Sequence, residues 1–253
     1  MAAPKRGLGW VPDLPDQRDQ YLAAHFGEDE LRGLAKKVDL RPRMPAVYNQ
    51  GSLGSCTAQG VAALLQFTEA EVFGGLDIPS RLFIYYNTRI LQGTLGEDSG
   101  ASIRNAIKAV VKEGYCQEKL WPYDVTKFKR KPPAAAYKAG DQRLITAYAR
   151  VQQQAAAIKQ RLAGGDPIVF GFSVYENFDE TAKTGVCPMP KGAVTGGHAV
   201  VLCGYDDRRK MFLVRNSWGA RWGDKGYYWK PYDMVLNPDI AADFWTIWSV
   251  PTP

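Results

Sequence analysis

Two histidines and four cysteines are all that this 253-residue chain offers for imidazole and thiol chemistry. Cys56 stands where a turn-rich loop, NQGSLGS over residues 49–55, runs into an apolar stretch with helical spacing. A thiol there faces the unpaired N–H groups and the positive end of a helix, and both favour the nucleophilic thiolate. Taken alone, Cys56 reads equally well as a structural or a reactive thiol. His25 lies in an atypical first segment, where a surface or packing role suits it. His198 follows Gly196 and Gly197 and opens the apolar run HAVVLCGY. A strand there would hold the ring rigidly, and the glycines before it leave room for a substrate. Asn216, in RNSWG at a predicted strand end, offers a side-chain carbonyl to orient the imidazole. His198 follows Cys56 by 142 residues, inside the roughly 130–150 of one known thiol–imidazole arrangement.

The elements that must position these groups change character along the chain. Helices are predicted over 56–72 with Ser55 as N-cap, over 80–91 and over 103–113, with a break near 131–135. A further helix is predicted over 152–162. Strands then follow over 167–174, 198–205, 211–216, 226–229 and 244–250. Helices first and strands later predict an α+β protein of two lobes, one helical and one an antiparallel barrel, with a cleft between them. The boundaries are an arm over 1–37, a helical lobe over 38–140 and a β lobe over 141–253. The arm opens with Pro and Gly around Trp10, which favours extended backbone, and carries a short polar helix over 28–37.

Composition closes off other classes. Four cysteines are too few for a disulfide scaffold, and two histidines exclude a His-rich metal site; no cofactor is expected. The net charge of +6 comes without a basic face. Its densest run, Lys127, Lys129, Arg130 and Lys131, reads as a solvated loop, so no nucleic-acid partner is expected. No stretch reaches the roughly 20 apolar residues of a membrane span, and no secretory signal opens the chain. A cytoplasmic monomer acting on a peptide or protein is the default expectation.

Four blocks in order carry a resemblance: VDLRP from Val38, NQGSLGSCTA around Cys56, GGHAVVLCGYDD around His198, and NSWGARWGDKGYYW from Asn216. With WPY at 121–123 they make the chain, from residue 38 onward, resemble a compact, bacterial-type papain-family cysteine peptidase. The resemblance implies a papain-like two-lobe fold and a site in which Cys56 attacks the scissile carbonyl. His198 would pair with it and protonate the leaving amine, and Asn216 would orient His198. Gln50 would donate to the oxyanion beside the backbone N–H of Cys56. Trp218 would shield the Asn–His bond, although core packing alone also explains it, and Trp222 would floor the leaving-group side. Backbone at Ser99, Gly100 and Ala101 would line the other side. Gly197 would also contact substrate, and Ile103, Gly171 and Ala199 would neighbour a small apolar pocket for the second residue before the scissile bond.

Two positions depart from the pattern. Leu53 replaces a disulfide-forming Cys, and Thr57 replaces an aromatic residue; neither removes a catalytic atom. Cys203 reads as a core thiol, and Cys116 and Cys187 are open to pairing although nothing local demands it. The extended strip over 10–15 is expected on or across the cleft, where its apolar residues find a groove, or packed on the outer surface. The resulting reading is an endopeptidase. An exopeptidase, isopeptidase or acyl transferase on the same site, and an inactive peptide- or anion-binding homologue, stand as alternatives.

Overall fold

The computed structural model describes residues 6–22, 33–75 and 77–249; His25 and positions 28–32 of the predicted polar helix lie outside them. Seven α-helices and seven strands appear among these residues. The helices are α1 (Cys56–Phe73), α2 (Arg81–Gln92), α3 (Ile103–Glu113), α4 (Ala134–Gly140), α5 (Ala155–Ala163), α6 (Thr181–Thr184) and α7 (Tyr232–Val235). The strands are β1 (Lys37–Asp39), β2 (Ala147–Arg150), β3 (Ile168–Tyr175), β4 (Val194–Asp206), β5 (Met211–Arg215), β6 (Tyr227–Pro231) and β7 (Ala241–Ser249). They form one antiparallel sheet in the order β2-β7-β3-β4-β5-β6, with β1 added to β4. The expected mixed helical and antiparallel architecture is what the chain adopts. No helix among the described residues is long and apolar enough to cross a membrane.

Helix α1 is the central element. Residues 53–69 are buried on every side, so the helix runs through the interior instead of along a surface. Its polar side chains are matched there: Thr68 Oγ1 donates to Leu64 O at 2.9 Å, and Glu69 accepts from Tyr115 OH and Arg143, each at 2.9 Å. The loop before it does not cap it as predicted. Ser55 stands at the N-cap position, but its hydroxyl meets Tyr123 OH at 2.6 Å and Gln59 Nε2 at 3.1 Å. It ties the loop to the 121–123 segment instead. Helices α2 and α3 are capped conventionally, by Ser80 accepting from Phe83 N and Ser102 accepting from Asn105 N.

Three local readings are corrected. Lys37, the last residue of the predicted polar helix, instead opens β1 with residues 38–39 and pairs with β4 from Asp206 to Gly204. The Pro132–Pro133 break is followed at once by α4, with Pro133 at its N-cap, because Pro is tolerated where no helical N–H is needed. Strand β4 starts four residues early, since Gly196 and Gly197 already pair with Val174 and Ser173. The break and the glycines were punctuation in the sequence; in the fold they are the starts of elements.

The helix and the sheet meet at Gly60, where a Cβ would stand 2.7 Å from Val169 Cγ2. Gly60→Ala sets a gain of about 1 kcal/mol in helix propensity against about 1–3 kcal/mol of overpacking on a β-branched neighbour. A net loss of stability is expected, read as a lower denaturation midpoint. A rise in the midpoint would contradict this close helix–sheet approach.

Candidate active site

Cys56 is the first residue of α1, and His198 stands on β4 opposite Phe172 of β3. Asn216 follows the last residue of β5, where its own N–H donates to Gly226 O at 3.0 Å. Strand pairing therefore fixes His198, and a strand end fixes Asn216. His198 Nε2 lies 2.8 Å from Asn216 Oδ1, which also accepts from Ser217 N at 2.8 Å. An amide oxygen only accepts, so Nε2 carries the proton and Nδ1 is left with its lone pair. Among the described residues Nδ1 has no hydrogen-bond partner, and the ring is fully buried. Trp218 stacks on His198 with centroids 4.6 Å apart and planes 21° apart, and Trp222 stands edge-on to Trp218 at 5.2 Å. Phe172 packs edge-on against the imidazole at 5.9 Å.

Gln50 is brought to the same place by a strap across the molecule: its N–H donates to Ser217 O at 2.9 Å, and Ser217 Oγ donates to Gln50 Oε1 at 2.6 Å. With its oxygen occupied, the Gln50 amide nitrogen is turned towards Leu53 O at 2.9 Å and Gly7 O at 3.1 Å. Ser217 is the orienting residue that sequence reasoning misses, since nothing but its place between Asn216 and Trp218 marks it. Asp98 is another. It accepts from Gly54 N at 3.0 Å and from Tyr85 OH at 2.6 Å, while Tyr85 OH in turn accepts from Gly100 N at 3.2 Å. One carboxylate thus fixes the loop before Cys56 and the loop around Gly100.

The first segment crosses this assembly. Gly9 N and Trp10 N donate to Gly197 O at 2.9 and 3.0 Å, while Ala101 N donates to Gly9 O at 2.7 Å and Val11 N to Ala101 O at 3.0 Å. The arm is therefore hydrogen-bonded to both walls at once. Glycine is required along it: a Cβ at Gly7 or Gly9 would lie 2.0 Å from the carbonyl oxygen of Leu53 or Gly54. Trp10 occupies the space left by Gly171 and Gly197, where a Cβ would stand 1.9 Å from the indole and 2.3 Å from the Trp10 carbonyl. The expected small apolar pocket is thus large enough for an indole, and its floor is polar, because Trp10 Nε1 donates to Asp243 Oδ2 at 3.2 Å. Asp243 also takes Asp13 N at 2.8 Å and shares Arg150 with Asp13; burial, with Asp13 adding to it, lifts its carboxyl to about 6.

Of the other predicted residues, Ala199 pairs with Gly171 across β3 and β4, and Ile103 is fully buried at the start of α3. Ser99 turns its hydroxyl to Thr94 Oγ1 at 2.8 Å, with Gly100 O at 3.0 Å. All four cysteines are free and buried, so Cys116 and Cys187 are not paired.

Known proteins are similar to this chain in sequence and fold. The family model described as papain family cysteine protease matches residues 34–237. A peptidase C1-like protein of Acanthamoeba polyphaga mimivirus is 38% identical, over 98% of this chain and 88% of that protein. Chymopapain of Carica papaya is 30% identical over 88% of this chain, which spans 62% of the plant protein. Among solved structures, xylellain, a cysteine protease from Xylella fastidiosa, superposes with a TM-score of 0.89 at 40% identity, covering 98% of both chains.

Burial governs the charge state of the site. The Cys56 thiol is pushed up to about 11 by burial, against the pull of the N–H groups of Ala199, Gly9, Thr57 and its own backbone. Burial drives His198 down to about 4; the bond to Asn216 opposes this and the charge of Lys230 adds to it. At neutral pH the covered pair is thiol and imidazole, not the thiolate that a helix N-terminus alone would favour. Lys230 is itself fully buried, with Nζ 3.8 Å from the Phe172 ring centroid and 3.6 Å from Cys187 Sγ, and burial lowers its affinity for a proton. Both Lys230 and the imidazole pack on the Phe172 ring. Lys230→Met removes that positive charge, so His198 should titrate at higher pH in imidazole NMR, where only two histidines contribute signals. An unchanged or lower midpoint would show that Lys230 does not reach the imidazole.

Proposed function

Because the chain belongs to the papain family of cysteine proteases, we propose that it cleaves peptide bonds within chains, with Cys56 as nucleophile and His198 as its base. The observation that carries this reading is the Nε2–H bond from His198 to Asn216 at 2.8 Å, stacked under Trp218, which leaves Nδ1 as a bare lone pair. In the uncovered site Nδ1 takes the thiol proton, and the resulting thiolate attacks the carbonyl carbon. The imidazolium then returns that proton to the leaving amine, and water releases the acyl group by the reverse steps. Asn216 keeps the ring in its tautomer and orientation. The Gln50 amide and the Cys56 backbone N–H receive the developing oxyanion, and losing one such donor typically costs ~10²–10³ in rate. Gly100, Ala101 and Gly197 offer backbone groups to an extended peptide, with Ser99 and Ile103 supporting that wall. Gly171, Gly197 and Ala199 border a pocket for a bulky side chain, and Trp222 bounds the leaving-group side.

The arm over 6–22 restrains this activity. It occupies the peptide-binding backbone groups, fills the pocket with Trp10 and sets the Gly9 N–H against the Cys56 sulfur, in a site where the thiol and the imidazole are both fully buried. Burial in turn holds both groups neutral, so the covered enzyme lacks both access and ionisation.

Two measurements test the reading. In the full chain carrying Trp10→Ala, which weakens the arm, an epoxide-type thiol-protease inhibitor should label Cys56 in mass mapping, and adding His198→Ala should abolish the label. Labelling that survives the loss of His198, or that maps to another cysteine, speaks against the assigned roles. In the full chain, Trp10→Ala should raise peptide hydrolysis by about 10²-fold, because truncating a buried Trp costs about 3–5 kcal/mol and here weakens arm docking. Equal activity with and without Trp10 would remove the arm from the account.

A further inference from the structure

One charged contact of the arm lies outside all the roles above. Arg6 Nη1 is 2.9 Å from Asp179 Oδ1, and its guanidinium carbon stands 5.0 Å over the Trp218 ring. His198 already stacks on Trp218, so Arg6 uses the opposite face of the indole. The next residue, Gly7, donates its N–H to Gly51 O at 3.0 Å and presents its carbonyl to Gln50 Nε2 at 3.1 Å. The guanidinium is thus held beside the carbonyl that occupies the proposed oxyanion donor. It borders a cavity of about 420 Å³, lined also by Ser52, Ala182, Arg221, Trp218 and Trp222, on the side assigned to the leaving fragment.

We propose that Asp179 and the open face of Trp218 form a subsite for a basic side chain of the leaving fragment, for which Arg6 is the built-in occupant. The inference rests on the peptidase reading of the site and adds a charge preference to it. Among the described residues Arg6 is the sole ion-pair partner of Asp179, whose side chain is 75% exposed, so displacing the arm leaves an unpaired carboxylate at the rim. The same displacement uncovers an indole face, and a π face attracts a cation and not an anion. Arg221 also lines the cavity, and by charge alone it would favour an acidic residue. The cation of Arg6 is nevertheless accommodated alongside it, with two defined contacts.

The test uses full-length Trp10→Ala and internally quenched peptides that differ only in the first two residues after the cleaved bond: Arg, Lys, Ala or Glu. The wild-type chain is read with the same peptides at its lower rate. Arg and Lys peptides should be cleaved with kcat/KM about ten-fold above the Glu peptides, the size expected of one exposed ion pair plus one cation–π contact. The Arg-to-Glu ratio, which is internal to each variant, should fall to about one in Asp179→Asn and invert in Asp179→Lys. Cleavage with no preference, or a preference for Glu that Arg221→Ala removes, would overturn the subsite while leaving the peptidase reading intact. If no peptide is cut and Cys56 is not labelled, the peptidase reading fails and the subsite falls with it.

Discussion

The contact on which the site depends is the approach of α1 to β3 at Gly60, where the absence of a side chain lets the helix lie against Val169. Cys56 is one helical turn before Gly60. Val169 is three residues before Phe172, which pairs with His198. Val201, the other side chain near Gly60, pairs with Arg215, the residue before Asn216. One close-packed point therefore sets the thiol relative to the imidazole, and the imidazole relative to its amide. The same packing opposes ionisation, since a thiolate and an imidazolium are the forms that burial disfavours most. Geometry and charge state are thus set by the same interior, and only solvent access can separate them.

How much of this could be read from the chain follows from where each signal lives. Cys56, His198 and Asn216 were legible because each sits at a junction that local composition marks: a glycine-rich loop, a glycine pair, a strand end. The helices α2 and α3 were legible for the same reason, through Ser80 and Ser102 before them and glycines after them. Strand β1 was not, because three residues carry no periodicity and the pairing with β4 is made 165 or more residues away. Ser55 has the residue type of a cap, but Tyr123 competes for its hydroxyl, and that partner is invisible to a local rule. Ser217 and Asp98 act through neighbours assembled only by the fold. The arm's glycines were the missed clue, since a run of Gly7, Gly9 and an aromatic residue specifies a backbone that must pass very close to another.

Buried cations show how the interior tolerates charge. Arg89 is fully buried, yet its Nη1 donates to the carbonyls of Leu95 and Glu97, each at 3.0 Å, and it lies over Tyr85. Arg215 donates to Ala46 O at 2.5 Å and lies over Tyr48, which draws the 45–50 segment towards Asn216. Carbonyl dipoles and ring faces take the place of carboxylates in both, so desolvation is offset without a buried ion pair that would need its own partners. Lys230 meets two aromatic rings and a thiol, and burial lowers its affinity for a proton. Arg89 ties the 95–97 loop to α2, and Arg215 ties the 45–46 segment to β5. They add to the net charge of the chain without forming any basic surface.

The arm lies in the cleft without presenting itself for cleavage, and polarity and register explain why. Trp10 fills the pocket proposed for a residue before the scissile bond while the earlier residue Arg6 lies on the leaving-fragment side, so the arm runs opposite to a substrate. Attack requires one carbonyl to satisfy two conditions: its oxygen at the donor and its carbon in front of sulfur. In this chain the oxygen at Gln50 belongs to Gly7, whereas the group that faces Cys56 Sγ is the N–H of Gly9, one peptide unit further on. An N–H stabilises sulfur but offers it no electrophile. Shifting the arm to bring the Gly7 carbon over the thiol would break the bonds of Gly9 to Gly197 and Ala101 and pull Trp10 from its pocket. The glycines at 7 and 9 hold the register, because any side chain at either would meet backbone oxygen at 2.0 Å and lift the arm. Close backbone contact thus keeps the segment bound in a pose from which the chemistry cannot begin.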